Sequence, residues 1–269
     1  MPRGKLIFTP VFSSRLAPVF ARYVDLKRAL GRRFEVPART LQCLDRFLCD
    51  QDMKCADLDA DVFQGWCHTH EHVTSGVRRV RMLEVRAFCL YRRRSEPQCF
   101  VPDFNSFPPY HQRLEPYIFC EAEIAELLHA ASCLKRHPTS PLRPETIRLA
   151  IILLFTTGIR RGELLNLKIG DYDRQNSTLH IRETKFYKSR LLAINNGIAD
   201  EIDCYLRTRS RGKFPVFSES ALLWNSAWGG GAYSATSLQR CFRPLLQKCG
   251  IVTARGTLPR IHDLRTALR

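Results

Sequence analysis

The chain has 269 residues, 45% of them hydrophobic and 25% charged, which excludes a compositionally disordered segment and leaves room for two domains with apolar cores. Lys and Arg outnumber Asp and Glu by 42 to 26, a net charge of +16 with a sequence pI near 9.7, so the expected partner is a polyanion, double-stranded DNA before others. The longest apolar run, Leu149 to Thr157, is too short to cross a bilayer, no lipidation motif accompanies the charge, and the eleven cysteines, an odd number without CxxC pairs, read as reduced thiols of a cytoplasmic protein without a signal peptide.

Apolar residues recur at helical spacing over residues 16–30, through Phe20, Tyr23 and Leu30, before Gly31 supplies a stop. A second helix is predicted over 38–49 on Leu41, Leu44 and Leu48, and a third from Asp59, which can cap it, burying Phe63 and Trp66. Thr74 or Ser75 opens a fourth. There Val80, Leu83, Ala87, Leu90 and Tyr91 are expected to face a core, with Arg78, Arg81, Arg86 and Arg93 on the other side and Met82 and Val85 interrupting them. Seven arginines against one glutamate between 78 and 94, Arg79 included, form a one-sided face that calls for an anionic partner. Cys67, His68, His70 and His72 invite a zinc reading, but no second ligand cluster at finger-like spacing completes a tetrahedral site, so no metal is expected.

Five prolines between Ser95 and Pro116 forbid regular helix and mark a boundary, giving a helical DNA-clamping domain over 1–94, a connector over 95–116 and a second domain over 117–269. The connector's Phe100, Phe104, Phe107 and Tyr110 are expected to dock on a domain surface. Downstream, helices are predicted over 121–134, from Pro144 to a break at Gly158, and shortly after it. Residues 178–182 and 189–194 read as the strands of a hairpin with Lys185 and Lys188 near its turn, followed by helices over 198–206 and 237–249 and a short edge strand at 221–224. The class is mainly α with a small antiparallel β-sheet, α+β.

The run Thr157-Gly158-Ile159-Arg160-Arg161-Gly162-Glu163-Leu164-Leu165 resembles the first conserved box of the tyrosine recombinases, the phage-integrase family. Thr184-Lys185-Phe186-Tyr187-Lys188-Ser189-Arg190 is similar to the hairpin carrying that family's lysine, and His262-Asp263-Leu264-Arg265 to the start of its second box. Three motifs in the right order are far more specific than one. The resemblance implies a four-helix SAM-like core-binding domain ahead of a catalytic domain, with Arg160, Lys185, His262 and Arg265 as catalytic residues and Glu163 behind them as an orienting group. A type IB topoisomerase shares the arginine and lysine logic, but the arginine-faced helical domain favours the recombinase.

Those residue types suit phosphoryl exchange. Guanidinium forks donate two hydrogen bonds to phosphate oxygens and stay charged, a desolvated lysine can protonate the departing 5′-oxygen, and a histidine serves as acid, base or further donor. A phosphotyrosyl intermediate conserves bond energy, so neither cofactor nor metal is required.

The second box is followed in the family by a further helix, a His or Trp and the nucleophilic tyrosine, whereas this sequence stops at Arg269. No tyrosine here matches the nucleophile. A catalytic domain lacking its last helices is expected to leave Ile147, Leu154, Leu264 and Leu268 uncovered, to favour self-association or docking with other recombinase subunits on DNA, and to be inactive alone. The competing expectation is a non-catalytic DNA-binding protein that occupies recombination sites or regulates a full-length recombinase.

Overall fold

The computed structural model describes residues 8–50, 57–109, 115–182, 189–226 and 230–268. They form two compact units, 1–114 and 115–269, each around its own apolar core.

In the first unit, α1 (Ala17–Ala29), α2 (Glu35–Asp50), α3 (Ala60–His68) and α4 (Ser75–Arg92) surround Phe20, Leu41, Leu44, Trp66 and Phe88. Asp59 caps α3 by accepting the Val62 N–H at 2.8 Å, satisfying a donor that the first helical turn leaves open. The carboxylate of Asp45, 2% exposed on α2, accepts the N–H groups of Ser13 and Ser14 at 2.8 and 3.0 Å and ties the incoming chain to the helices.

The orientation of α4 differs from the sequence reading. Its buried residues are Met82, Val85, Phe88, Cys89 and Arg92, while Val80 and Leu90 are each 42% exposed and Ala87 is also exposed. The stripes 80/83/87/90 and 82/85/89/92 have the same helical spacing, and the arginine in the second lowers its apparent hydrophobicity. Arg92 is tolerated there because its guanidinium forks onto Asp57 and Glu96. Arg78, Arg79, Arg81 and Arg86 are therefore half-buried at the margins of the packed stripe, while Arg93 and Arg94 are exposed.

Residues 95–109 contain a single 3-10 turn, Phe104–Ser106, and pack on this first unit. Cys99 and Phe107 are buried, and Arg79 Nη1 donates to the carbonyls of Phe107 and Pro108 at 3.3 and 2.8 Å while its guanidinium lies 4.6 Å from the Phe104 ring. Prolines forbid helix here without preventing aromatic burial.

The second unit is built on α6 (Arg143–Thr157), in which Ile147, Ala150, Ile151, Leu153 and Leu154 are at most 2% exposed. Around it pack α5 (Glu121–Ser132), α8 (Asn196–Arg211), α9 (Ala235–Lys248) and a last 3-10 helix, Ile261–Leu268. The expected uncovered surface is not found: Ile147, Leu154 and Leu264 are 0, 1 and 0% exposed because these elements close over α6, and the Leu268 side chain lies outside the described residues.

After α6, the short α7 (Arg161–Asn166) leads to an antiparallel sheet of order β1-β2-β3: β1 (Tyr172–Asp173), β2 (Thr178–Ile181) and β3 (Arg190–Ala193), with Ile181 opposite Arg190. The two-residue β1 is too short to show period-two patterning. A second pair, β4 (Trp224–Asn225) with β5 (Gly231–Ala232), stands where a single edge strand was expected. Arg209, 0% exposed on α8, donates to the carbonyls of Ala221 and Leu222 at 2.7 and 3.1 Å and lies over the Trp224 ring, fastening this pair to the core.

Candidate active site

Gly158 ends α6 with φ +59°, a left-handed conformation open to glycine without strain. The chain turns sharply, buries Ile159 and delivers Arg160 as the residue capping α7. One turn on, Glu163 receives four hydrogen bonds. Its Oε2 accepts the Arg160 backbone N–H at 3.0 Å and Arg190 Nη2 at 2.8 Å, and its Oε1 accepts Arg160 Nη1 at 2.7 Å and Arg190 Nη1 at 3.2 Å. The Glu163 side chain is 7% exposed against 45% for Arg160 and 38% for Arg190. Burial alone would raise its carboxyl pKa, but hydrogen bonds from Arg190 and then Arg160 overcome that and hold it at about 2. One carboxylate therefore serves two guanidiniums and a net positive charge remains at the surface. Among the described residues, no hydrogen bond or ion pair joins Arg161, the next residue of the motif, to Glu163.

His262 and Arg265 lie three residues apart on the final 3-10 helix, where residues i and i+3 eclipse. The same spacing sends Ile261 and Leu264 into the core at 3 and 0% exposure, leaving His262 exposed and Arg265 half-exposed. Asp263, 2% exposed, accepts the Arg260 N–H at 2.8 Å and Arg260 Nη2 at 2.7 Å, locking the start of the turn. Both α7 and this 3-10 helix pack on α6, so one buried helix supports the two motifs. Among the described residues, no hydrogen bond or ion pair joins His262 or Arg265 to Arg160. Lys185 lies outside the described residues.

Arg190 stands inside the hairpin motif read from the sequence, but that reading gave it no role. It is one of several basic residues around the hairpin, and only the strand register and a partner 27 residues away single it out.

Four tyrosines of the second unit have committed hydroxyls. Tyr233, 4% exposed, pairs with Ser140 Oγ at 2.7 Å; Tyr205, 3% exposed, accepts the Trp224 N–H at 3.0 Å; Tyr172 donates toward Ala199 O and Asp203; and Tyr117 donates to Glu123. Burial pushes the Tyr233 hydroxyl up to about 12, and burial followed by the Asp203 hydrogen bond does the same for Tyr172.

In the first unit, Arg78 and Arg81 line a cavity of about 570 Å³ with Trp66, Met82 and Phe100. Arg79 is engaged as described above, and Arg93 makes a long 3.4 Å contact to the Cys99 carbonyl. His70 is buried against the Trp66 ring, its Nδ1 2.6 Å from Thr69 Oγ1, and burial lowers its pKa.

Residues 119–269 match the phage integrase family. The proteins named putative integrase/recombinase y4rB and y4rE of Sinorhizobium fredii are 29% and 30% identical to this chain, over 90% and 94% of it and 77% and 79% of their own lengths. The chain belongs to the phage integrase family of tyrosine recombinases. Among solved structures, an integrase of the transposon Tn1549 in complex with circular intermediate DNA aligns with TM-score 0.66 at 15% identity, over 95% of this chain and 85% of that one. Lambda integrase bound to DNA aligns with TM-score 0.63 at 14% identity, over 94% and 84%. At that identity these likenesses speak to the fold alone.

Proposed function

We propose that the chain acts on duplex DNA in site-specific recombination or integration, and that Arg160, Lys185, His262 and Arg265 together hold the phosphodiester being exchanged. The observation that carries this reading is the half-exposed Arg160 guanidinium held on a buried carboxylate that it shares with a second arginine. In such an exchange a tyrosine Oη gives its proton to a base and forms a bond to phosphorus, the P–O5′ bond breaks, and the departing oxygen takes up a proton. Arg160 and Arg265 donate to the non-bridging oxygens as charge grows on them, Lys185 supplies the proton, and His262 acts as acid, base or additional donor. Glu163 keeps Arg160 aimed. The first unit contributes Arg78, Arg81, Arg86 and Arg93 to the DNA backbone, with Arg79 chiefly holding the 104–108 segment.

We assign no nucleophile to Tyr117, Tyr172, Tyr205 or Tyr233, because a buried or hydrogen-bonded phenol must give up its partner before attacking. The same observation favours a second reading, in which residues 1–269 bind recombination sites without cleaving them alone and work beside, or against, another recombinase. Suicide DNA substrates that trap a phosphotyrosyl linkage test both readings. No adduct is expected from this chain alone. When a second recombinase of the family supplies the tyrosine in trans, adduct is expected under the first reading, and Arg160→Lys should remove most of it, since an ammonium lacks the bidentate fork. Failure to complement would favour the second reading. An adduct mapped to Tyr233, or to Tyr187, which lies outside the described residues, would overturn the assignment of no nucleophile.

A further inference from the structure

We infer that Arg190 is a positioning residue that sets the aim and the effective charge of Arg160 through Glu163. The inference deepens the proposed function and rests on its assignment of Arg160 to phosphate.

Arg190 presents two nitrogens to the two oxygens of Glu163, at 3.2 and 2.8 Å, so the carboxylate is gripped at both oxygens. The Arg160 side chain is thereby limited to one bond, 2.7 Å to Oε1, because Oε2 is taken by Arg190 Nη2 and by the Arg160 backbone N–H. A guanidinium carries five N–H donors, and those of Arg160 not spent on Oε1 remain for another acceptor. Without Arg190, the desolvated carboxylate would be free to close on Arg160 with both oxygens and neutralise it. With Arg190 present, two cations share one anion and a positive charge is left over.

Strand register places the fork. Arg190 stands opposite Ile181, which is 1% exposed, and its neighbours on β2 and β3 hold the sheet to the core. A slip of one residue would turn Arg190 to the opposite face of the sheet and release Glu163.

The test is titration of inorganic phosphate at low ionic strength into the full chain, following the Arg160 side-chain N–H resonance, assigned with Arg160→Lys. In the unsubstituted protein the resonance should move saturably. Arg190→Ala should weaken this binding about fivefold, and Arg190→Lys should recover part of the loss. In a Glu163→Gln background the Arg190→Ala replacement should add little, because its effect runs through the carboxylate. Arg190→Gln serves in the same cycle if Arg190→Ala fails to fold by thermal unfolding. Additive losses across the cycle would mean that Arg190 meets the anion itself, and an unchanged affinity in Arg190→Ala would mean that it has no role; either overturns the inference alone. A resonance indifferent to phosphate in the unsubstituted protein would overturn the assignment of Arg160 and this inference with it.

Discussion

Glu163 shows how one buried carboxyl organises its surroundings. Its folded-state pKa of about 2 lies below the ordinary 4.5, so the ionised form contributes stability that is complete above about pH 4.5 and is lost as pH falls toward 2. Removing the charge also leaves Arg160 and Arg190 facing each other without an anion. Glu163→Gln is therefore expected to destabilise the second unit by about 2 kcal/mol near neutral pH, with the gap to the unsubstituted protein narrowing near pH 3. Urea unfolding of both proteins at the two pH values checks this, and a gap independent of pH would show that the carboxylate's ionisation contributes nothing. The motif around Gly158 made Arg160 and Glu163 legible in the sequence. The hairpin motif contained Arg190, but its pairing with Glu163 was not legible, because a contact across 27 positions is set by sheet register.

At the scale of elements, most helices announce themselves by spacing and caps, as Asp59 does for α3, but α4 shows the limit of a pattern with two equivalent stripes. The packed stripe makes a direct prediction. Phe88, 0% exposed with its ring 4.4 Å from that of Phe20, should cost about 3 to 5 kcal/mol on replacement by alanine, whereas Val80→Ala should stay within about 0.5 kcal/mol. Thermal unfolding of the two variants decides it; comparable losses would restore the 80/83/87/90 stripe to the core. Arg92 misled the hydropathy pattern for a definite reason: a buried guanidinium with two carboxylate partners is compatible with a core stripe, and those partners, Asp57 and Glu96, lie outside the helix.

For the whole molecule, the net charge of +16 is a statement about association with polyanions, and the structure sorts the arginines behind it. Some are structural, as Arg92, Arg209 and much of Arg79 are, while Arg86 and Arg93 lack a carboxylate partner among the described residues. Replacing Arg86 and Arg93 together by alanine should leave the unfolding midpoint nearly unchanged, weaken binding to duplexes of any sequence, and shallow the slope of log K against log salt by about 2, given about 0.9 per phosphate contact. Fluorescence anisotropy across a salt series measures the slope, and an unaltered one would remove both residues from the DNA interface.

The sequence by itself determined the class of the fold, the order of its helices, the family and the residues of three motifs, because helix periodicity, capping and short motifs act between residues near in the chain. The tertiary structure decided which stripe of α4 is buried, that residues 95–109 join the first unit, that α6 is enclosed, and that Arg190 meets Glu163. Each of these depends on which of several similar groups is brought to a given place by packing, and packing energy is set by neighbours distant in sequence.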